Sequence, residues 1–217
     1  GDDTPAVSGD LFQVNSYTSS SQYQPSVTAL QTTTEGTDAG FVVTWQDDSG
    51  HDDGSGTDVR GQVFNSTGAP LGEELLVNTA TYQTQGEPSV ASLDDGGFVV
   101  TWQSNYQDDD SSYYNIYGQR FDGVGGSVGD EFMVNVDRTI RDQHDPSITS
   151  LGNGEFIVTW GDESTSSRSS ELGSGFDNSG WAVFGQKFTT VGDDTPAVSG
   201  DLFQVNSYTS SSQTSHR

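Results

Sequence analysis

The sequence predicts an all-β fold built on a threefold repeat. GFVVTWQ stands at Gly40 to Gln46 and again at Gly97 to Gln103, and EFIVTWG stands at Glu155 to Gly161. Trp45, Trp102 and Trp160 are therefore 57 and 58 residues apart. A fixed period with turn residues between the copies marks a repeat architecture. No segment spaces its apolar residues as a helix would, and the chain holds 27 glycines. Each repeat offers four strand-like pieces, which is the pattern of a β-propeller blade. The prediction is three β-propeller-like blades per chain, each of four antiparallel strands.

The tryptophan stretch reads as a strand because it is rich in Phe, Val, Ile, Thr and Trp. Phe41, Val43 and Trp45 share one face; Val42 and Thr44 share the other. Neither face is strongly polar, so both are expected to be covered, as in stacked sheets. Before it, after a Q-x-x-P step at Gln22, Gln85 and Gln143, come PSVTAL, PSVASL and PSITSL. This piece is expected innermost. After it come DVRGQVF at Asp58 to Phe64, IYGQRF at Ile116 to Phe121 and VFGQKF at Val183 to Phe188. Gly61, Gly118 and Gly185 within them would let a neighbouring tryptophan approach closely. The outermost piece is FQVN at Phe12 to Asn15, LLVN at Leu75 to Asn78 and FMVN at Phe132 to Asn135. The expected organisation is one repeat domain, 1–217, with blades near 23–78, 86–135 and 144–206.

Three blades are too few for a ring of roughly four to eight. Residues Gly1 to Gln22 recur unchanged as Gly192 to Gln213, 191 residues on. The unit reads as a tandem triplet plus the beginning of the next. The F-x-V-N piece thus occurs a fourth time, at Phe203, and one outer strand is surplus. Phe12, Val14, Phe203 and Val205 are the expected assembly strand, pairing with a neighbouring copy to complete the fold. Copies would join end to end, closing a six-bladed ring or building an open fibre, because unpaired sheet edges favour pairing.

Net charge is -25, from 32 acidic residues against Lys187 and six arginines. Nucleic acid and anionic membrane surfaces, which need clustered cations, are not expected partners. No run of about 18 apolar residues is present to insert in a membrane. The start, Gly1-Asp2-Asp3-Thr4, is no signal peptide, so the chain reads as a mature product or a piece of something longer. Cysteine is absent, so there is no disulfide or thiol chemistry.

The most acidic loops follow the tryptophan strand, at 47–58, 106–115 and 161–180. Asp47, Asp48, Asp52, Asp53, Asp58, Asp108, Asp109 and Asp110 are candidate calcium ligands, because calcium prefers such oxygens in flexible loops. The spacing matches no EF-hand. Asn65-Ser66-Thr67 is a candidate N-glycosylation site in a predicted turn. G-x-S-x-G, H-E-x-x-H and phosphate-loop signatures are absent, and His51 and His144, at non-equivalent repeat positions, read as surface histidines. D-A-G-F-V-V-T-W at Asp38 to Trp45 is loosely similar to the sialidase Asp-box, S-x-D-x-G-x-T-W. Its spacing departs, and arginines are scarce.

The string P-S-V-x-x-L, G-G-F-V-V-T-W-Q, I-Y-G-Q-R-F, G-x-x-V-G, E-F-x-V-N resembles a tandem repeat of very large secreted proteins of cyanobacteria and marine bacteria. Those often carry calcium-binding or adhesion modules. The resemblance covers nearly the whole chain and is clearest from Glu74 to Gly129. It implies a propeller-like, extracellular or cell-surface module of structural or adhesive function, without catalytic residues. The alternative is a carbohydrate-binding module with Tyr106, Tyr113 and Tyr114 as sugar platforms.

Overall fold

The computed structural model describes residues 9–32, 40–50, 56–105, 107, 113–136, 142–163, 182–190 and 194–206. It contains three antiparallel sheets and, among the described residues, no helix. The first sheet runs β1 (Gln22–Ala29), β2 (Phe41–Asp47), β3 (Asp58–Phe64) and β4 (Pro70–Leu76). The second runs β5 (Gln85–Ser92), β6 (Phe98–Asn105), β7 (Tyr114–Phe121) and β8 (Ser127–Met133). The third holds β9 (Gln143–Gly152), β10 (Glu155–Asp162) and β11 (Ala182–Thr189); two short pieces, β12 (Ala197–Val198) and β13 (Phe203–Gln204), both pair with β11. Strands neighbour one another in chain order, which is the simplest meander.

The Q-x-x-P step lies inside the first strand of each sheet. Gln24, Glu87 and Asp145, each just before proline, have φ of 55°, 56° and 52°. Each sits in a β-bulge that lets the strand carry a residue with no N–H to donate.

The sheets pack face to face. One side of each is lined by β-branched residues, the other by rings. Val42, Val59, Val63 and Val77 of the first sheet meet Phe98, Val100, Trp102, Tyr117 and Phe121 of the second. Val99, Ile116 and Val134 on the second sheet's other side meet Phe156, Val158, Trp160, Phe184 and Phe188 of the third. Each such fully buried side chain contributes about 1.5–3 kcal/mol. Phe98 stacks on Phe121 and Phe156 on Phe188, with ring centroids 5.1 Å and 5.3 Å apart. The indole N–H groups of Trp45, Trp102 and Trp160 are buried with no acceptor among the described residues, so their rings are held there by packing.

The repeated glycines serve a different ring from the one expected. A Cβ on Gly118 would stand 2.6 Å from the Phe132 ring, and one on Gly185 2.5 Å from the Phe203 ring. The F-x-V-N phenylalanine, not a tryptophan, fills this space. At Gly61 the corresponding residue is Leu75, and a Cβ there would meet Leu75 at 3.8 Å, with its nearest atom, Thr44 Cγ2, at 3.4 Å.

The segment around Phe12 is a second departure. The sequence places an outer strand at Phe12 to Asn15, but this segment forms no ladder. Its identical copy at Phe203 does, pairing Phe203 with Gly185 and Gln204 with Phe184. The difference is one of position: the later copy lies beside β11, whereas among the described residues no strand lies where β11 does for the earlier one.

Candidate assembly surfaces

The repeat defines a junction that can be read residue by residue. Between the second and third sheets, the segment Phe132–Asn135 faces both ways. Toward its own sheet, Val134 donates its N–H to the Ile116 carbonyl at 2.8 Å, and Asn135 Oδ1 accepts the Ile116 N–H at 2.8 Å. Toward the next sheet, the Phe132 ring lies 6.4 Å from Phe156 and 5.5 Å from Phe188, and Asn135 Nδ2 donates to Gln143 Oε1 at 2.9 Å.

At the two ends of the chain these halves are separated. Residues 203–206 make the first half: Val205 donates to the Val183 carbonyl at 2.8 Å, and Asn206 Oδ1 accepts the Val183 N–H at 2.9 Å. Residues 12–15 make the second half. The Phe12 ring lies 6.4 Å from Phe41 and 5.5 Å from Phe64, and Asn15 Nδ2 donates to Gln22 Oε1 at 3.2 Å. Ser16 donates through its N–H and hydroxyl to Glu74, as Thr79 does to Glu131 one repeat later.

The innermost strands follow the same order. Val90 donates its N–H to Ser26 Oγ, and Ile148 donates to Ser89 Oγ, each at 3.2 Å. Val90 and Ile148 are 7% and 8% exposed, whereas Val27, at the matching place in β1, is 64% exposed, with no strand among the described residues packed over it. Phe41 and Val43 are half-buried where Phe98 and Val100 are fully buried. A cleft of about 140 Å³ opens there, lined by Val14, Asn15, Gln22, Tyr23, Pro25, Val43 and Trp45. At the far end, Ile157, Thr159 and Val183 of the third sheet are half-buried, whereas Val42, Thr44 and Val59 of the first sheet are fully buried. The P-S-V/I triplet was visible in the sequence, but that its serine reaches the next sheet was not.

The acidic candidates do not share one setting. Asp47 is buried, with Oδ2 3.2 Å from Arg60 Nε and Oδ1 accepting from Gln22 Nε2 at 3.0 Å. Asp58 faces Asp47 across β2 and β3 and accepts from Asn78 Nδ2 at 2.8 Å. Both carboxylates thus serve the sheet, while Asp48 is exposed. Asp52, Asp53, Asp108, Asp109 and Asp110 lie outside the described residues. Among the described residues, no group of three or more His, Cys, Asp or Glu side chains is placed to hold a metal ion. Asn65 Oδ1 accepts from Thr67 and Ala69 N–H groups and shapes the β3–β4 turn; Asp122 does the same in the second sheet.

His144 is not a free surface group. Its ring packs on Tyr114 at 4.9 Å, and Nδ1 lies 3.0 Å from Gln103 Oε1, so Nδ1 carries the donated proton. Burial pushes its pKa below the usual imidazole value, against the pull of Asp142, Asp145 and Glu163. Of the three candidate sugar-platform tyrosines, Tyr114 is engaged by His144, Tyr113 is 40% exposed, and Tyr106 lies outside the described residues. His51 also lies outside them.

No helix of the described residues is long and apolar enough to cross a membrane. Compared with known protein families and with curated proteins, the sequence matches none.

Proposed function

We propose that this chain is a non-enzymatic structural or adhesive repeat module of the cell exterior. Its blade-like sheets continue from copy to copy, so that the third sheet of one docks on the first sheet of the next. The observation that carries the reading is the divided junction: the two ends of the chain hold complementary halves of a contact that is complete between the second and third sheets. Ser147 of one copy would accept the Val27 N–H of the next, in the series of Ser26 with Val90 and Ser89 with Ile148. Gly161 stands where Gln46 and Gln103 stand, so this outer junction forgoes the bonds those glutamines make to Glu87 and Asp145. The resemblance to large secreted repeat proteins supports the exterior setting. Calcium at the acidic loops and sugar at Asn65 belong to the same reading.

A net charge of -25 on each copy opposes association, so screening should favour it. Electron microscopy of concentrated protein at about 0.5 M NaCl, where the Debye length is only a few Å, tests the reading. Stacked rods or closed rings are expected from the parent, and monomers from Val27→Asp, whose melting is unchanged because Val27 is exposed. Uniform monomers of the parent, in NaCl and in CaCl2 of equal ionic strength, would overturn it. Rods only in CaCl2 would assign the bridging to calcium.

A further inference from the structure

We infer that residues 9–15 are a self-supplied plug of the docking site on the first sheet, and that residues 200–206 of a neighbouring copy must displace them to dock. This rests on the end-to-end reading above and names what regulates it. The segments are identical in sequence, GDLFQVN in both places. The earlier copy takes the position that an incoming one would need. Phe12 meets Phe41 and Phe64 at the same centroid distances, 6.4 Å and 5.5 Å, at which Phe132 meets Phe156 and Phe188. A Cβ on Gly68 would stand 3.7 Å from the Phe12 ring, as one on Gly125, at the matching turn of the second sheet, would meet Leu75 at 2.8 Å. Two such rings cannot share one Phe41–Phe64 pair.

The plug is held on one side only. Among the described residues no strand offers Asn15 Oδ1 the N–H that Asn78, Asn135 and Asn206 accept from Val59, Ile116 and Val183. Phe12 is 49% exposed and Leu11 fully exposed. Exchange of one identical segment for the other leaves the local ring contacts as they were. The gain comes from what travels with the incoming segment: the third sheet with Ile157, Thr159 and Val183, and β9, which covers Val27. Against it stands the tether, which holds the plug at an effective concentration on the order of mM. The fold therefore carries its own brake on assembly.

A fluorescent peptide of sequence GDLFQVNS tests this on the full chain. The parent is expected to bind it weakly, because the tethered copy competes. Phe12→Ala is expected to bind it at least about tenfold more tightly and to form rods at a lower protein concentration. Val14→Ser, which weakens the plug beside Val43 and Trp45, should do the same to a smaller extent, and circular dichroism reports whether each variant keeps its sheets. Equal peptide affinity of parent and both folded variants would overturn the plug. Tighter peptide binding by the variants without rods at any concentration would uphold the plug as the occupant and overturn end-to-end stacking.

Discussion

At the scale of single residues, one glycine position separates the repeats. Gly118 lies beneath the Phe132 ring, which in turn packs on Phe156 and Phe188, so a Cβ there pushes on a ring that is itself backed by two others. Gly61 lies beneath Leu75 with ordinary contact distances. Gly118→Ala is therefore expected to destabilise by about 1–3 kcal/mol, through overpacking, and Gly61→Ala to fall within about 0.5 kcal/mol of the parent. Denaturant melts measure both; equal losses would show that the glycines serve backbone conformation, not ring space. The sequence showed that these positions needed a small residue. It did not show for which ring, because that depends on β13 and β8 folding back over β11 and β7.

At the scale of elements, the sheets were legible and their joints were not. The period-two alternation of Phe41, Val43 and Trp45 against Val42 and Thr44 places the strands, and the glycine turns at Gly68 and Gly125 end them. The bulges at Gln24, Glu87 and Asp145 were not legible, because a Q-x-x-P step reads equally as the end of a loop. Nor was the seam between β6 and β9, where Gln103 and Tyr114 hold His144. That seam gives a pH dependence. The unfolded imidazole takes its proton near the ordinary value of 6.5, while burial makes the folded one resist it. Between those two points the unfolded state binds more protons, so stability falls as pH drops below about 6.5. The carboxylate of Glu155, held low by its hydrogen bond from Lys187, acts in a lower window: its contribution is present above 4.5 and is lost as pH falls through its folded value. His144→Gln should flatten the change in urea midpoint between about pH 7 and pH 5.5 relative to the parent. An unchanged slope would place the titration elsewhere.

At the scale of the whole molecule, what matters is a fold with two unlike ends. Its first sheet shows half-buried rings and Val27; its last shows Ile157, Thr159 and Val183. The 22-residue identity between Gly1 to Gln22 and Gly192 to Gln213 is what predicts a tandem array from the sequence. Which half of the junction each copy makes needed the geometry, since identical residues do different work on either side of a sheet. In the assembly we propose, the acidic surface would set the conditions for joining, and the plug at residues 9–15 its threshold.

The most direct measurement is a disulfide trap across the proposed joint in a chain that has no cysteine of its own. Val27→Cys with Ser147→Cys places one thiol at each end, and Ser89→Cys with Ile148→Cys makes the equivalent internal pair as a control. Under mild oxidation at high salt, a ladder of covalent dimers, trimers and longer species is expected from the first pair and closed monomers from the second. Monomers alone from the first pair, beside a control that oxidises fully, would contradict end-to-end stacking.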